Sequence, residues 1–67
     1  MRFQAICPDG FAYPLTTLKK AKERAQTEVY ANRLNPTNGV TVRRQDGKPI
    51  IRYWWDMQLR ELQHIEF

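Results

Sequence analysis

Few side chains in this sequence could act as nucleophiles, bases or metal ligands, and those present stand apart. Cys7 and His64 are the single residues of their types, so the chain can form neither an internal disulfide nor a Cys/His zinc site. His64 has no acid, cysteine or serine at a spacing typical of a catalytic triad, and Cys7 is interpreted as a small core residue. The seven carboxylates are scattered, and every glycine is needed for a turn. We therefore predict a protein that is not an enzyme and has no cofactor or metal.

Cationic and aromatic side chains alternate in the second half of the chain, a pattern that favours a binding function. If residues 40–55 form a hairpin, basic side chains surround Trp54 on one face. Cations neutralise phosphates and flat rings stack on unpaired bases, so this face suits single-stranded nucleic acid or an acidic protein surface. Two simpler interpretations remain: residues 57–67 cover Trp54, or the arginines form an ordinary solvated face over Ile50. The predicted partner-binding residues are Arg2, Arg43, Lys48, Ile50, Arg52 and Trp54.

A secondary anion site is predicted at the start of the helix. Thr16 or Thr17 can cap this helix, but Lys19 and Lys20 follow where a capping box would place Glu or Gln. Two cations in the first turn oppose the helix dipole, and a phosphate or carboxylate bound there would correct this. The favoured alternative is that both lysines are simply solvated, because the dipole effect is worth roughly a few tenths of a kcal/mol.

Length and charge restrict the class of protein. The chain has 67 residues and a net charge of +4, which fits a single domain, residues 1–67, with a small core. Residues 1–52 hold ten Lys/Arg against four acids, whereas residues 53–67 hold one against three. The N-terminus lacks the apolar run of a signal peptide, and no segment approaches the ~20 apolar residues of a membrane span. We expect a cytoplasmic protein with no membrane partner.

The first half of the chain predicts a β-hairpin. Residues 3–7 and 11–13 flank a three-residue loop that contains Gly10. If Cys7 lies opposite Phe11 and Ala5 opposite Tyr13, one face of this hairpin is wholly apolar, as a half-buried sheet requires.

A helix is predicted over residues 17–34 and ends before Pro36. Its narrow apolar stripe consists of Leu18, Ala21, Ala25 and Val29. Tyr30 and Leu34 lie away from this stripe. They contact a protein partner or, as we favour, pack under the loop of residues 36–39.

A second hairpin is predicted around Asp46-Gly47, a pair typical of a two-residue type I′ turn. The resulting opposite pairs are Gln45 with Lys48, Val42 with Ile51, and Val40 with Tyr53. This register separates an apolar face from the face that carries the predicted binding residues. Because Pro49 has no N–H, its strand is expected to be an edge at least near the turn.

The last residues allow two structures. Asp56 can cap a short helix, which we favour, but residues 63–67 can also extend as a strand. The predicted fold is therefore α+β, a small two-layer sandwich of order β-β-α-β-β with a short C-terminal helix or strand.

One resemblance adds to this interpretation. The segment TTLKKAKERA at residues 16–25, followed by a basic hairpin with Gly47-Lys48 and the strand end Trp54-Trp55-Asp56, resembles some small phage and prophage proteins. A few of these are anti-CRISPR inhibitors built from hairpins and one helix. The resemblance implies a protein that docks on a nucleic-acid-handling complex of the host through basic residues.

Three functions are consistent with these observations. The first is a protein-binding inhibitor or accessory factor that uses the basic sheet face to engage a nucleic-acid-handling complex. The second is direct DNA or RNA binding by the same residues, and the third is a structural homodimer that buries Ile50 and Trp54. No ribonucleoprotein motif, helix-turn-helix or zinc finger is present, so we expect a protein or ribonucleoprotein partner rather than free nucleic acid.

Overall fold

One antiparallel sheet with a helix packed against it makes up the fold. A computed structural model describes residues 2–67. The elements are β1 (Phe3–Ile6), β2 (Ala12–Leu15), α1 (Leu18–Ala31), β3 (Val40–Arg44), β4 (Pro49–Asp56) and β5 (Glu61–Glu66). The strands lie in the order β2-β1-β3-β4-β5, and each neighbouring pair is antiparallel. The predicted α+β class and the order of the first five elements are confirmed. Within residues 2–67, no helix is long and apolar enough to cross a lipid bilayer.

The core lies between α1 and one face of the sheet. Alternate residues of the central strands point towards the helix, and the predicted helical stripe points back at them. The fully enclosed residues are Ala5, Ala21, Ala25, Val29, Val40, Val42, Ile51 and Tyr53. Small alanines on α1 let the helix approach the sheet closely, so the larger side chains of β3 and β4 fill the space between the helix and the sheet.

The first hairpin has the predicted register. Ala5 lies opposite Tyr13, and the Cys7 N–H donates to the Phe11 carbonyl over 2.9 Å. Gly10 has φ 91°, a left-handed conformation that favours glycine at the end of a three-residue loop. The Asp9 carboxylate accepts a hydrogen bond of 3.0 Å from the Phe11 N–H, which closes the loop.

The turn of the second hairpin differs from the prediction, although its core pairs do not. Arg44, rather than Gln45, pairs with Lys48, because Gly47 at φ 97° closes a three-residue loop. This loop shifts the register by one residue, and a β-bulge at Ile50 shifts it back. Val42 therefore lies opposite Ile51, and Val40 opposite Tyr53, as predicted.

The helix ends three residues earlier than predicted, at Ala31 instead of residue 34. Asn32 terminates it: its backbone N–H and its side-chain amide both donate to the Glu28 carbonyl, over 3.1 and 2.8 Å. Arg33 donates from its guanidinium to the Tyr30 carbonyl over 2.9 Å. Side chains thus satisfy the last helical carbonyls before Pro36 is reached, which is why the helix stops short of the proline.

The favoured C-terminal helix is wrong, and the alternative strand is correct. The Asp56 carboxylate accepts from the N–H groups of Gln58 and Leu59, at 2.9 and 3.0 Å, but it caps only a turn. Arg60, at φ 54°, then reverses the chain into β5. The strand is favoured over a short helix because β5 pairs with β4 along its whole length and so forms backbone hydrogen bonds across the sheet. Pro49 lies beyond this pairing and is exposed, so β4 is an edge near the turn, as predicted.

Candidate functional site

The sheet face that points away from α1, called the outer face here, carries the predicted binding residues that remain accessible. Strand alternation places on it the residues between the core positions. In the central strands these are Gln4, Ile6, Thr41, Arg43, Arg52 and Trp54. The register sets Gln4 opposite Arg43 and Thr41 opposite Arg52, so two arginines lie on neighbouring strands near the middle of the sheet.

Arg43 is held in place by its neighbour on β1. Its Nε donates a hydrogen bond of 2.9 Å to the Gln4 side-chain oxygen, and its side chain is half-buried. An arginine fixed at Nε presents its two terminal nitrogens in one plane, which suits bidentate contact with a carboxylate or phosphate. Less conformational entropy is lost on binding than for a fully mobile arginine.

Arg52 and Trp54 form the second part of the site. The Arg52 guanidinium carbon lies 6.0 Å from the Trp54 ring centroid, at the outer limit of a cation–π contact. The same guanidinium lies against Gly39, so closely that a side chain at that position would have to displace it. Arg52, Trp54 and the chain at Gly39 line a shallow cavity of about 230 Å³.

Trp54 is not covered by the C-terminal residues. β5 lies beside β4 in the plane of the sheet and places Gln63 opposite Trp54. The ring is therefore half-buried by its neighbours on the face and is not sealed beneath a further layer. Of the two simpler interpretations, burial under residues 57–67 is excluded, and an ordinary solvated face remains.

The other predicted partner-binding residues are spread apart. Arg2 and Lys48 are exposed at the turn end of the second hairpin, and six residues of extended strand, about 20 Å, separate Lys48 from Trp54. Ile50 departs from its predicted place: it lies at the β-bulge, is half-buried and packs against the core. A homodimer that buries Ile50 together with Trp54 therefore loses one of its two anchors.

The predicted secondary anion site belongs to a different surface. Thr17 caps α1 by accepting a hydrogen bond of 3.2 Å from the Lys20 N–H. Lys19 and Lys20 are exposed on the helix, which packs on the opposite side of the sheet from the outer face. One partner group could not contact both places at once.

An apolar surface, of which the sequence indicated only Tyr30 and Leu34 as an alternative protein contact, lies next to the outer face. It is called the apolar end here and consists of Tyr30, Leu34, Trp55 and Met57. Leu34 is 77% exposed, so its predicted packing under the loop of residues 36–39 is wrong. The Tyr30 ring meets the edge of Trp55 at 5.7 Å between centroids.

Two arginines flank the apolar end. The Arg33 guanidinium carbon lies 4.1 Å from the Tyr30 ring centroid, and Arg33 and Arg60 line a cavity of about 340 Å³ with Leu34, Trp55 and Met57. Aromatic, methionine and arginine side chains are enriched in protein interfaces, and exposed apolar clusters often mark them. The sequence signal was the run Met57-Gln58-Leu59, which has no place in the core once β5 is a strand.

A buried asparagine connects the apolar end to the outer face. Asn38 is 6% exposed, and its oxygen accepts from the Trp55 N–H over 3.0 Å. Its amide nitrogen donates to the carbonyls of Asn35, Arg33 and Trp55, at 3.1, 3.4 and 3.4 Å. Asn38 lies two positions before Val40, where a longer β3 would place it opposite Trp55, so its side chain continues the hydrogen bonding to β4 before the strand begins.

The environment of Cys7 keeps its thiol protonated. Burial, and after it Glu28 and Asp9, raise the pKa of the Cys7 thiol, which disfavours the nucleophilic thiolate. In the part of the chain that the structure describes, no three His, Cys, Asp or Glu side chains come together as a metal site.

Comparison with known proteins gives no relative: no family model, no curated protein and no solved structure matches the chain.

Proposed function

We propose that this protein is a non-enzymatic, cytoplasmic binding module of the phage inhibitor or accessory type. Its partner is an acidic protein surface of a nucleic-acid-handling complex, which it contacts through the outer face and the apolar end. A two-layer arrangement, with α1 on one side of the sheet and the outer face open on the other, is part of this proposal.

The observation that carries the proposal is the continuity between these two surfaces. Trp54 and Trp55 are consecutive in β4 and therefore point to opposite faces of the sheet, but Trp55 lines both the cavity beside Arg52 and the cavity between Arg33 and Leu34. Cations of the outer face and exposed apolar side chains therefore adjoin each other around this end of the sheet. Protein interfaces combine an aromatic or aliphatic anchor with arginine in this way, whereas a polyanion alone gains nothing from an exposed Leu34 or Met57.

Charge indicates what the partner presents. Arg52 on the outer face, and Arg33 and Arg60 beside the apolar end, lie near the tryptophan pair, and Arg43 lies further along the outer face. A complementary surface has carboxylates around an apolar projection, because like charges would repel across the interface.

A second candidate is direct binding of single-stranded nucleic acid. It is favoured by one observation, the Arg52 guanidinium beside the Trp54 ring at the rim of a shallow cavity. A base could stack on this ring while the cation contacts a phosphate. This function needs the outer face but not the apolar end, which makes the two candidates separable.

The proposed function is tested with two charge-reversed variants of equal net charge. Arg43→Glu with Arg52→Glu removes the cations of the outer face, and Lys19→Glu with Lys20→Glu is the matched control on α1. Immobilised wild type and both variants are used to capture host proteins. We expect a partner that is retained by wild type and the control but lost by the outer-face variant, with far-UV circular dichroism confirming that both variants fold.

A partner lost only with the Lys19/Lys20 variant would contradict the outer-face assignment and place the contact at the start of α1. Fluorescence anisotropy with labelled single-stranded DNA, duplex DNA and RNA tests the second candidate. Binding that persists at physiological salt and is lost on Trp54→Ala, but is unchanged by Leu34→Ala, would replace the protein partner with nucleic acid.

A further inference from the structure

A cleft on the helix side of the sheet has a chemistry unlike the rest of the molecule. It is a cavity of about 430 Å³ between the turn of the first hairpin and the second half of α1. Two carboxylates, Asp9 and Glu28, and two aromatic rings, Phe11 and Tyr13, line it together with Asn32. None of the described residues that line it is a lysine or arginine, although the chain carries a net charge of +4.

The two rings form one corner of the cleft. Phe11 and Tyr13 are arranged edge to face with their centroids 4.7 Å apart, and Phe11 is 56% exposed. The faces of aromatic rings carry negative potential, and a cation over such a face gains roughly 0.5–2 kcal/mol.

The rim of the cleft already holds one guanidinium. The Arg24 guanidinium carbon lies 4.7 Å from the Tyr13 ring centroid, and its Nη1 lies 3.5 Å from the Glu28 carboxylate. The Glu28 side chain is only 18% exposed. An organic cation from the chain itself therefore already occupies one face of the Tyr13 ring and contacts Glu28 at the rim, so a second cation inside the cleft would meet Phe11, Asp9 and the rest of the Glu28 carboxylate.

The pKa values of two neighbouring residues indicate that carboxylates place negative charge beside the cleft. A hydrogen bond to Glu28 and the charge of Glu28 raise the pKa of Tyr13, and Arg24 only partly opposes them. Glu28 and Asp9 also contribute to the raised pKa of Cys7. Glu28 and Asp9 therefore place negative charge beside the cleft, and Arg24 offsets part of it.

We propose that this cleft binds an organic cation, a guanidinium or alkylammonium group, between the Phe11 and Tyr13 rings and the carboxylates of Glu28 and Asp9. The cation belongs either to a small molecule or to an arginine or lysine side chain of a partner, since both present the same group. This site is separate from the outer face and does not depend on the function proposed above.

The test is a titration of the ¹⁵N-labelled protein with N-methylguanidinium, followed by amide chemical shifts. Methylurea, which has a similar shape and no charge, is the control ligand. We expect saturable shifts at residues 7–13 and 28–37 with N-methylguanidinium, in the millimolar range for so few atoms, and none with methylurea. Equal shifts with both ligands, or shifts spread over the whole protein, would overturn the proposal.

Variants locate the site. Glu28→Gln and Phe11→Ala should each weaken binding at least about fivefold, the loss expected when a charge-assisted contact or a ring face is removed. Glu23→Gln removes the same charge from an exposed position of α1 and should leave the dissociation constant unchanged. If Glu28→Gln and Glu23→Gln behave alike, only the net charge matters, and no built site exists.

The source of the cation is distinguished with two further ligands. A short peptide with one central arginine, and the same peptide with glutamine, are titrated beside arginine amide. Peptide binding much tighter than that of arginine amide, and lost with glutamine, assigns the cleft to a protein side chain. Equal binding of arginine amide and the peptide assigns it to small molecules.

Discussion

Asn38 is the residue whose replacement should damage the fold most for its size. Asn38→Ala removes the acceptor of the Trp55 N–H, 3.0 Å away, and the donor to the Asn35 carbonyl, 3.1 Å away, together with two longer contacts of 3.4 Å. A buried polar group left without a partner costs about 1–3 kcal/mol. Water can reach part of the loop, so we expect a total loss of about 2–4 kcal/mol in the free energy of unfolding.

Urea unfolding followed by tryptophan fluorescence measures this loss, because Trp55 lies at the affected contact. About 2–4 kcal/mol is a large share of the stability of a domain this small. Asn35→Ala is the matched control: Asn35 stands in the same loop, is exposed and contributes its backbone carbonyl. We expect this control to change stability by less than about 0.5 kcal/mol.

A second variant separates loss of hydrogen bonds from loss of packing. Asn38→Asp keeps an oxygen for the Trp55 N–H but turns a carboxylate towards the carbonyls of Arg33, Asn35 and Trp55. Burial and these carbonyls raise the pKa of the introduced carboxyl above its value in the unfolded chain. The free energy of unfolding of Asn38→Asp should therefore rise as pH falls, because the protonated carboxyl can donate a hydrogen bond. If Asn38→Ala unfolds at the same urea concentration as Asn35→Ala, the described role of Asn38 is refuted.

Two further predictions concern the turns. Gly47→Ala should lower the free energy of unfolding by about 1 kcal/mol, because φ at this position is 97°. Gly47→Asn should lower it by less. Equal stability of wild type and Gly47→Ala in thermal unfolding would contradict the three-residue loop. At pH 8 Cys7 should react with iodoacetamide several-fold more slowly in the folded protein than in urea. The reason is that the fold raises the pKa of the thiol, so a smaller fraction is present as the reactive thiolate. Equal rates would contradict the raised pKa of Cys7.

The pairing register of the core strands could be predicted because a single register buries all of their apolar residues. Shifting either hairpin by one residue would turn Ala5, Val42 or Ile51 towards solvent, so the alternation of apolar residues determines the pairing. The helical stripe at Ala21, Ala25 and Val29 was equally constrained. These positions contact one another in the core, and no loop detail was needed to place them.

The wrong predictions concern segments whose local sequence is compatible with more than one structure. Asp46-Gly47 suits a two-residue or a three-residue loop, and only the compensating bulge at Ile50 decides between them. Asp56 can cap a helix or a turn, and pairing with β4 favours the turn. Asn38 resembled an ordinary turn residue, because its four contacts join parts of the chain that are 17 residues or fewer apart and follow no periodicity.

The same limits applied to the candidate site. Arg43, Arg52 and Trp54 could be placed on the outer face from strand alternation, and the structure positions them there. Ile50 was misplaced because of the bulge. Of the apolar end, only Tyr30 and Leu34 were indicated, as the less favoured alternative, because its residues come from the end of α1 and from the region of the β4–β5 turn. No sequence spacing relates these segments once the favoured C-terminal structure is wrong.

The β-bulge at Ile50 confines the register shift of the second hairpin to the tip of that hairpin. The register shift introduced by the loop is cancelled before Val42 and Ile51 pair. The pairing of the core residues is therefore the same whichever way the chain turns at residues 45–47. The tip is also exposed, so an inserted peptide or a fluorescent label there would have its effect confined to one end of the sheet. This hairpin is the natural attachment point for a tag that must leave the outer face, the apolar end and the cleft undisturbed.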